Sequence, residues 1–125
     1  MRYVYDSGAL IAIESRGSAG LADHKVRLAR QDEVQVPAVV AAQVVRNPDR
    51  QFRVMTVLRG CDLVPFDRRH HTPVGRLLAA AGTTDVVDAF VAWLGARADV
   101  VVTSDMDDIR RLLDVLGADV TVVPA

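Results

Sequence analysis

The chain has 125 residues, half of them apolar and a quarter charged, with a formal net charge of −1; this is the profile of one compact domain and excludes a second. A chain of this size buries roughly two-thirds of its unfolded surface, enough for a core without a structural metal, and its lone Cys61 excludes an internal disulfide. No apolar stretch is long enough to span a bilayer, and the opening Arg2-Tyr3-Val4-Tyr5 is strand-like rather than signal-like, so a cytoplasmic setting away from membrane is expected.

Taken in chain order, short β-branched runs alternate with helix-period segments, the pattern of an α/β domain with a mostly parallel sheet. Tyr3 to Tyr5 read as the first strand. Asp6-Ser7 caps a helix over Gly8 to Ile13, and after Arg16-Gly17-Ser18 a second runs from Ala19 to Arg30. Val34 to Val36 form a strand, and Pro37 opens the helix Ala38 to Arg46. Asn47-Pro48 breaks the chain before a helix ending near Arg59-Gly60, and strand three is Asp62 to Pro65. A helix starts around Pro73 and stops at Gly82; Thr83-Thr84 then cap an apolar helix, Asp85 to Arg97. Strand Val100 to Thr103, loop Ser104 to Asp107, helix Asp108 to Leu116 and strand Val120 to Val123 complete the chain.

The charges are unevenly chosen: fourteen Asp against two Glu, and fourteen Arg against the single Lys25. Asp favours caps, loop ends and metal sites, while Arg suits phosphate; with so small a net charge, a nucleic-acid partner would need a local patch. Asp6 and Asp105 each follow a strand, at the edge where open α/β sheets place ligands. Asp88 lies among apolar neighbours on a helix, where a carboxylate needs a cation facing it. Asp85 and Asp88 share a helix face and repel unless a proton or cation intervenes. A few convergent carboxylates are sufficient for Mg²⁺ or Mn²⁺, which need no His or Cys ligands.

Plainer roles compete with this reading. Asp6, Asp107 and Asp108 suit helix caps, Asp85 suits a first helical turn, and Asp88 could pair with an Arg. His24 and the adjacent His70-His71 read as surface, and Cys61 as a packed thiol. Arg46, Arg50 and Arg53 could line one side of adjoining helices and touch phosphates, as could Arg68-Arg69 or Arg110-Arg111; solvated helix faces are the competing reading for each.

The opening Val4-Tyr5-Asp6-Ser7-Gly8-Ala9-Leu10-Ile11-Ala12, the turn Val36-Pro37-Ala38, the stretch Asp88-Ala89-Phe90-Val91-Ala92, and Val101-Val102-Thr103-Ser104-Asp105 with Asp108-Ile109 behind it stand in a characteristic order. In this the chain resembles the PIN-domain ribonucleases, in particular the VapC-type toxins of toxin–antitoxin pairs, across essentially its whole length. The resemblance implies a three-layer α/β/α sandwich around a five-stranded parallel sheet. It also implies Mg²⁺- or Mn²⁺-assisted hydrolysis of RNA, a homodimer, and a VapB-type antitoxin that inserts an Arg near the acids. Asp6, Asp88 and Asp105 match the family's catalytic, metal-holding acids, Ser7 and Thr103 its polar companions, and Asp108 an accessory acid. A further family acid, normally Glu, falls at Gln43; restoring Glu there should strengthen metal binding, while Asp85 could supply the missing charge.

Two other readings are carried forward. Gln43 points to a PIN-fold module that binds RNA or antitoxin but cleaves poorly. A phosphoacceptor receiver domain has similar length, but needs an acidic pair after strand one and a late Lys, whereas this chain offers Asp6 and Lys25.

Overall fold

The computed structural model describes residues 1–125. Five strands form one all-parallel sheet: β1 (Arg2–Tyr5), β2 (Glu33–Pro37), β3 (Asp62–Val64), β4 (Val100–Thr103) and β5 (Thr121–Pro124). Between them lie α1 (Ser7–Glu14), α2 (Gly20–Ala29), α3 (Ala38–Val44), a 3₁₀ turn at Pro48–Arg50, α4 (Phe52–Gly60), α5 (His71–Ala81), α6 (Val86–Gly95) and α7 (Met106–Val115). α1 packs on α2, α3 and α4, while α5, α6 and α7 pack on one another. Two helical layers thus enclose the sheet, as a parallel sheet requires, and the expected α/β/α sandwich is what the chain forms.

Strand order is β3-β2-β1-β4-β5. A receiver-type doubly wound sheet runs 2-1-3-4-5, so this order removes the receiver alternative. From β1 the chain first builds outward through β2 and β3, then crosses to β4 on the other side. The crevice at the carboxyl ends of β1 and β4 is therefore the topological switch point, where such sheets bind ligands. Register sets what lies there: Tyr5 pairs with Val102, which brings the next residues, Asp6 and Thr103, alongside each other.

The core follows from strand composition. All of β4 is buried, and Val4 and Tyr5 of β1, with Leu10, Phe90 and Ile109 from the two helical layers, are fully buried with it; burying apolar side chains of this kind contributes roughly 1.5–3 kcal/mol each. No single helix is long and apolar enough to cross a membrane.

Several boundaries differ from the sequence reading. α3 stops at Val44, and Arg46 lies beyond its end. α5 begins at His71, two residues before Pro73; proline is tolerated there because first-turn N–H groups have no intrahelical acceptor. Gly82 ends that helix as expected, in the left-handed region at φ 67°. Asp85, rather than the threonines, caps α6. The stretch expected as a loop to Asp107 is already helical from Met106, with Asp107 and Asp108 in the first turn, where acids complement the helix dipole.

The histidines correct a second expectation. His24 and His70 are buried, at 5% and 4% exposure. His24 Nδ1 lies 2.8 Å from the Tyr5 hydroxyl, which accepts from Arg27. Burial, helped by Arg27, lowers the His24 pKa. His70 Nδ1 accepts from the Asp67 N–H at 3.0 Å among Phe66, Phe90 and Trp93. A buried imidazole needs such partners, and they come from segments distant in sequence or from a turn that no periodicity reveals.

Candidate functional site

Three helices, α1, α6 and α7, begin at the carboxyl edge of the sheet, and the acids singled out in the sequence occupy their first turns. Asp6 is the N-cap of α1. Its Oδ1 accepts from the Ala9 N–H at 3.1 Å and its Oδ2 from the Thr103 hydroxyl. Burial pushes its pKa up, and the Thr103 hydroxyl and nearby backbone N–H groups offset only part of the rise. Gly8 permits the arrangement: a Cβ there would overlap the Ser104 side chain, so only glycine lets the start of α1 approach the β4–α7 connection this closely.

Thr103, wholly buried, accepts from the Asp105 N–H at 2.8 Å through the oxygen that donates to Asp6. Asp105 stands at the N-cap position of α7 with no side-chain capping bond, which leaves its carboxylate free. Asp108 lies one turn on, exposed.

Asp88 is the third residue of α6, and its N–H donates to Asp85 Oδ1 at 3.0 Å. Partial burial pushes its carboxyl up to about 7, with the charges of Asp85, Asp105, Asp6 and Asp108 adding to the rise in that order. No ion pair reaches any of the five acids, so the guanidinium partner considered for Asp88 is not there. One ligand oxygen each from Asp88, Asp105 and Asp108 lies within 4.8 Å of the others. Half-buried and exposed carboxylates held this close, with only backbone dipoles opposing their charge, form a donor set suited to a hard divalent cation.

The trio is thus Asp88, Asp105 and Asp108, with Asp6 and Asp85 beside it. The sequence reading gave Asp108 only an accessory place. Its signal was a repeated spacing: Asp85 and Asp88 at the start of α6, Asp105 and Asp108 at the start of α7, each pair an N-cap and the third helical residue.

Other candidates are placed elsewhere or otherwise engaged. Ser7 is the first residue of α1, partly buried. Gln43, exposed on α3, lines a shallow depression with Ile11, Glu14, Ser15, Val44 and Gln51, and none of the five acids borders it. Arg46 donates to the Ala42 and Val45 carbonyls at the end of α3, and Arg53 to the Glu14 carbonyl; both serve the scaffold. Arg50 is exposed and forms no ion pair. Cys61 is half-buried, and its thiol is pushed up to about 11 by burial, so it is a packed, unreactive group.

No family model and no curated protein matches the sequence. Solved structures do share the fold. The chain aligns over its full length with 99% of a chain in the crystal structure of VapBC2 from Rickettsia felis bound to a DNA fragment from their promoter, at TM-score 0.70 and 11% identity. It also aligns over 96% of its length with 95% of a chain in the crystal structure of FitAcB from Neisseria gonorrhoeae, at TM-score 0.66 and 13% identity. At such identities the likeness is one of fold: the PIN-like sandwich is established.

Proposed function

We propose that this chain is a metal-dependent endoribonuclease acting as the toxin of a type II toxin–antitoxin pair. The observation that carries the reading is the trio Asp88, Asp105 and Asp108, their oxygens within 4.8 Å at the sheet's switch point with no protein cation beside them. Fold likeness to the VapBC2 and FitAcB structures supports the toxin–antitoxin setting, and the motif order of the PIN-domain ribonucleases supports RNA as substrate.

Asp88, Asp105 and Asp108 would hold Mg²⁺ or Mn²⁺. A bound ion of this kind polarises a phosphoryl oxygen and lowers the pKa of water. Asp88, with its carboxyl pushed up to about 7 in the free protein, would give up its proton to serve as a ligand. The N-termini of α6 and α7 turn their positive ends toward the same crevice, which favours a phosphate there. Exposed arginines such as Arg50 would meet the RNA backbone. In this reading a VapB-type antitoxin blocks the crevice by placing an Arg among the carboxylates, and the chain works as a homodimer.

Purified protein incubated with a mixed RNA panel tests the reading. Cleavage is expected with Mn²⁺, none in EDTA, and a loss of about a hundredfold or more for Asp88→Asn. Cleavage that persists in EDTA, or its absence with metal, overturns the nuclease; retention of uncut RNA would leave a binding module in its place.

A further inference from the structure

β1, β2 and β4 each pass into a helix within two residues of the sheet's carboxyl edge, whereas β3 passes first into a loop, residues 65–70. In a parallel sheet all carboxyl ends lie together, so this loop overhangs the edge that holds the acids. Loops so placed carry binding residues on a rigid frame.

Packing and hydrogen bonds both pin the loop. Phe66 and the buried His70 pack on Phe90, at ring separations of 5.0 and 4.8 Å, and His70 also meets Trp93. Phe90 is fully buried on α6, two residues beyond Asp88, so the loop is braced against the helix that carries a member of the acid trio. Within the turn, the Asp67 N–H donates to His70 Nδ1 at 3.0 Å and the His70 N–H to the Asp67 carbonyl at 3.0 Å. The Asp67 carboxylate accepts from the Arg69 N–H at 2.9 Å and from the Arg69 guanidinium at 2.9 and 3.2 Å. That guanidinium first, and the N–H with it, hold the Asp67 carboxyl down at about 2, so the two charges cancel throughout the neutral range. Arg68, between them, is exposed and forms no ion pair. It is the uncompensated charge of a turn whose backbone is already fixed, so a phosphate bound there costs little ordering.

We propose that Arg68 is a phosphate-binding residue that grips the RNA backbone on the stretch leading to the carboxylates, whatever the base sequence. The assignment rests on the nuclease reading above and supplies the cation that the crevice itself lacks.

Anisotropy of a labelled single-stranded RNA of mixed sequence, titrated with the full chain in EDTA at several KCl concentrations, tests it without cleavage. Arg68→Gln should weaken binding about tenfold at low salt. It should also lower the slope of log affinity against log salt by about 0.7, the share of one phosphate on a single strand. Arg68→Lys keeps the charge and should keep the slope. Arg59→Gln removes an equal, exposed charge at the end of α4, beside the start of β3 and so at the opposite edge, and should leave affinity and slope as they were. With Mn²⁺, Arg68→Gln should raise KM and spare kcat, as a loss of uniform binding does. Wild-type affinity and slope in Arg68→Gln, a slope in Arg68→Lys as low as in Arg68→Gln, or an equal drop in Arg59→Gln would overturn the assignment. RNA held but left uncut with Mn²⁺, while Arg68→Gln still lowers the slope, would overturn the nuclease and not Arg68; a wild-type chain that holds no RNA would overturn both.

Discussion

Asp88 shows how much a single side chain can carry. Its neighbours in sequence are apolar, which calls for a cation facing it, a divalent ion or, on the plainer reading, an Arg; the structure surrounds it with other carboxylates, and its carboxyl rises from 3.8 to about 7. The sign of the consequence is definite: an acid whose folded pKa is raised binds its proton more tightly folded than unfolded. Metal-free protein therefore loses stability as pH climbs from about 4 toward 7 and regains it on acidification through that window. Asp88→Asn should flatten this dependence and melt higher than wild type above neutrality in EDTA; parallel melting curves across that range would show Asp88 ionised throughout. Gln43 makes the opposite point. The family pattern places it with the acids, but its side chain borders the depression that holds Glu14, whose Oε1 is buried with no hydrogen-bond partner. Gln43→Glu is accordingly expected to lower stability by about 0.5–1 kcal/mol through a second carboxylate there, and to leave Mn²⁺ affinity unchanged; tighter Mn²⁺ binding would put position 43 back among the ligands.

At the level of elements, the strands were legible because β-branched runs bounded by punctuation are a strong signal, and the capping role of Asp6 was read correctly from its place after one of them. The starts of α6 and α7 were displaced by one or two residues. Both begin with Asp-x-x-Asp, in which cap and first-turn residue are the same amino acid, so composition does not mark which of the two opens the helix. The contact of α1 with the β4–α7 connection was invisible, since nothing in the run Ser7-Gly8-Ala9 says what comes close to Gly8. Gly8→Ala tests that contact: the added methyl meets Ser104, and overpacking of this kind typically costs about 1–3 kcal/mol. Urea denaturation should show that loss in the midpoint with an unchanged slope; a neutral result would mean that Ser104 swings aside freely.

For the molecule as a whole, sheet content was readable but strand order was not. Alternation of strands and helices fits several doubly wound arrangements, and only the pairing of β1 with both β2 and β4 separates this one from a receiver. The same pairing gathers acids from positions 6, 88, 105 and 108, whose convergence no local pattern could establish. If the gathered charge accepts an ion, global stability must respond. Free Mn²⁺ at about a hundred times its Kd should add about 2.7 kcal/mol, read as a rise in Tm of several degrees that EDTA reverses; an unmoved Tm would mean that the folded state offers no preferential site.

The first turns of α6 and α7 carry like charge across a shared seam, while their far ends are locked against the sheet by apolar contacts. Electrostatic pressure thus acts as a wedge at one end of the helical layer, and a cation placed there would work as a clasp. Loading the ion should slow amide hydrogen exchange near Asp88 and Met106 and leave Leu94 and Leu113 as they were.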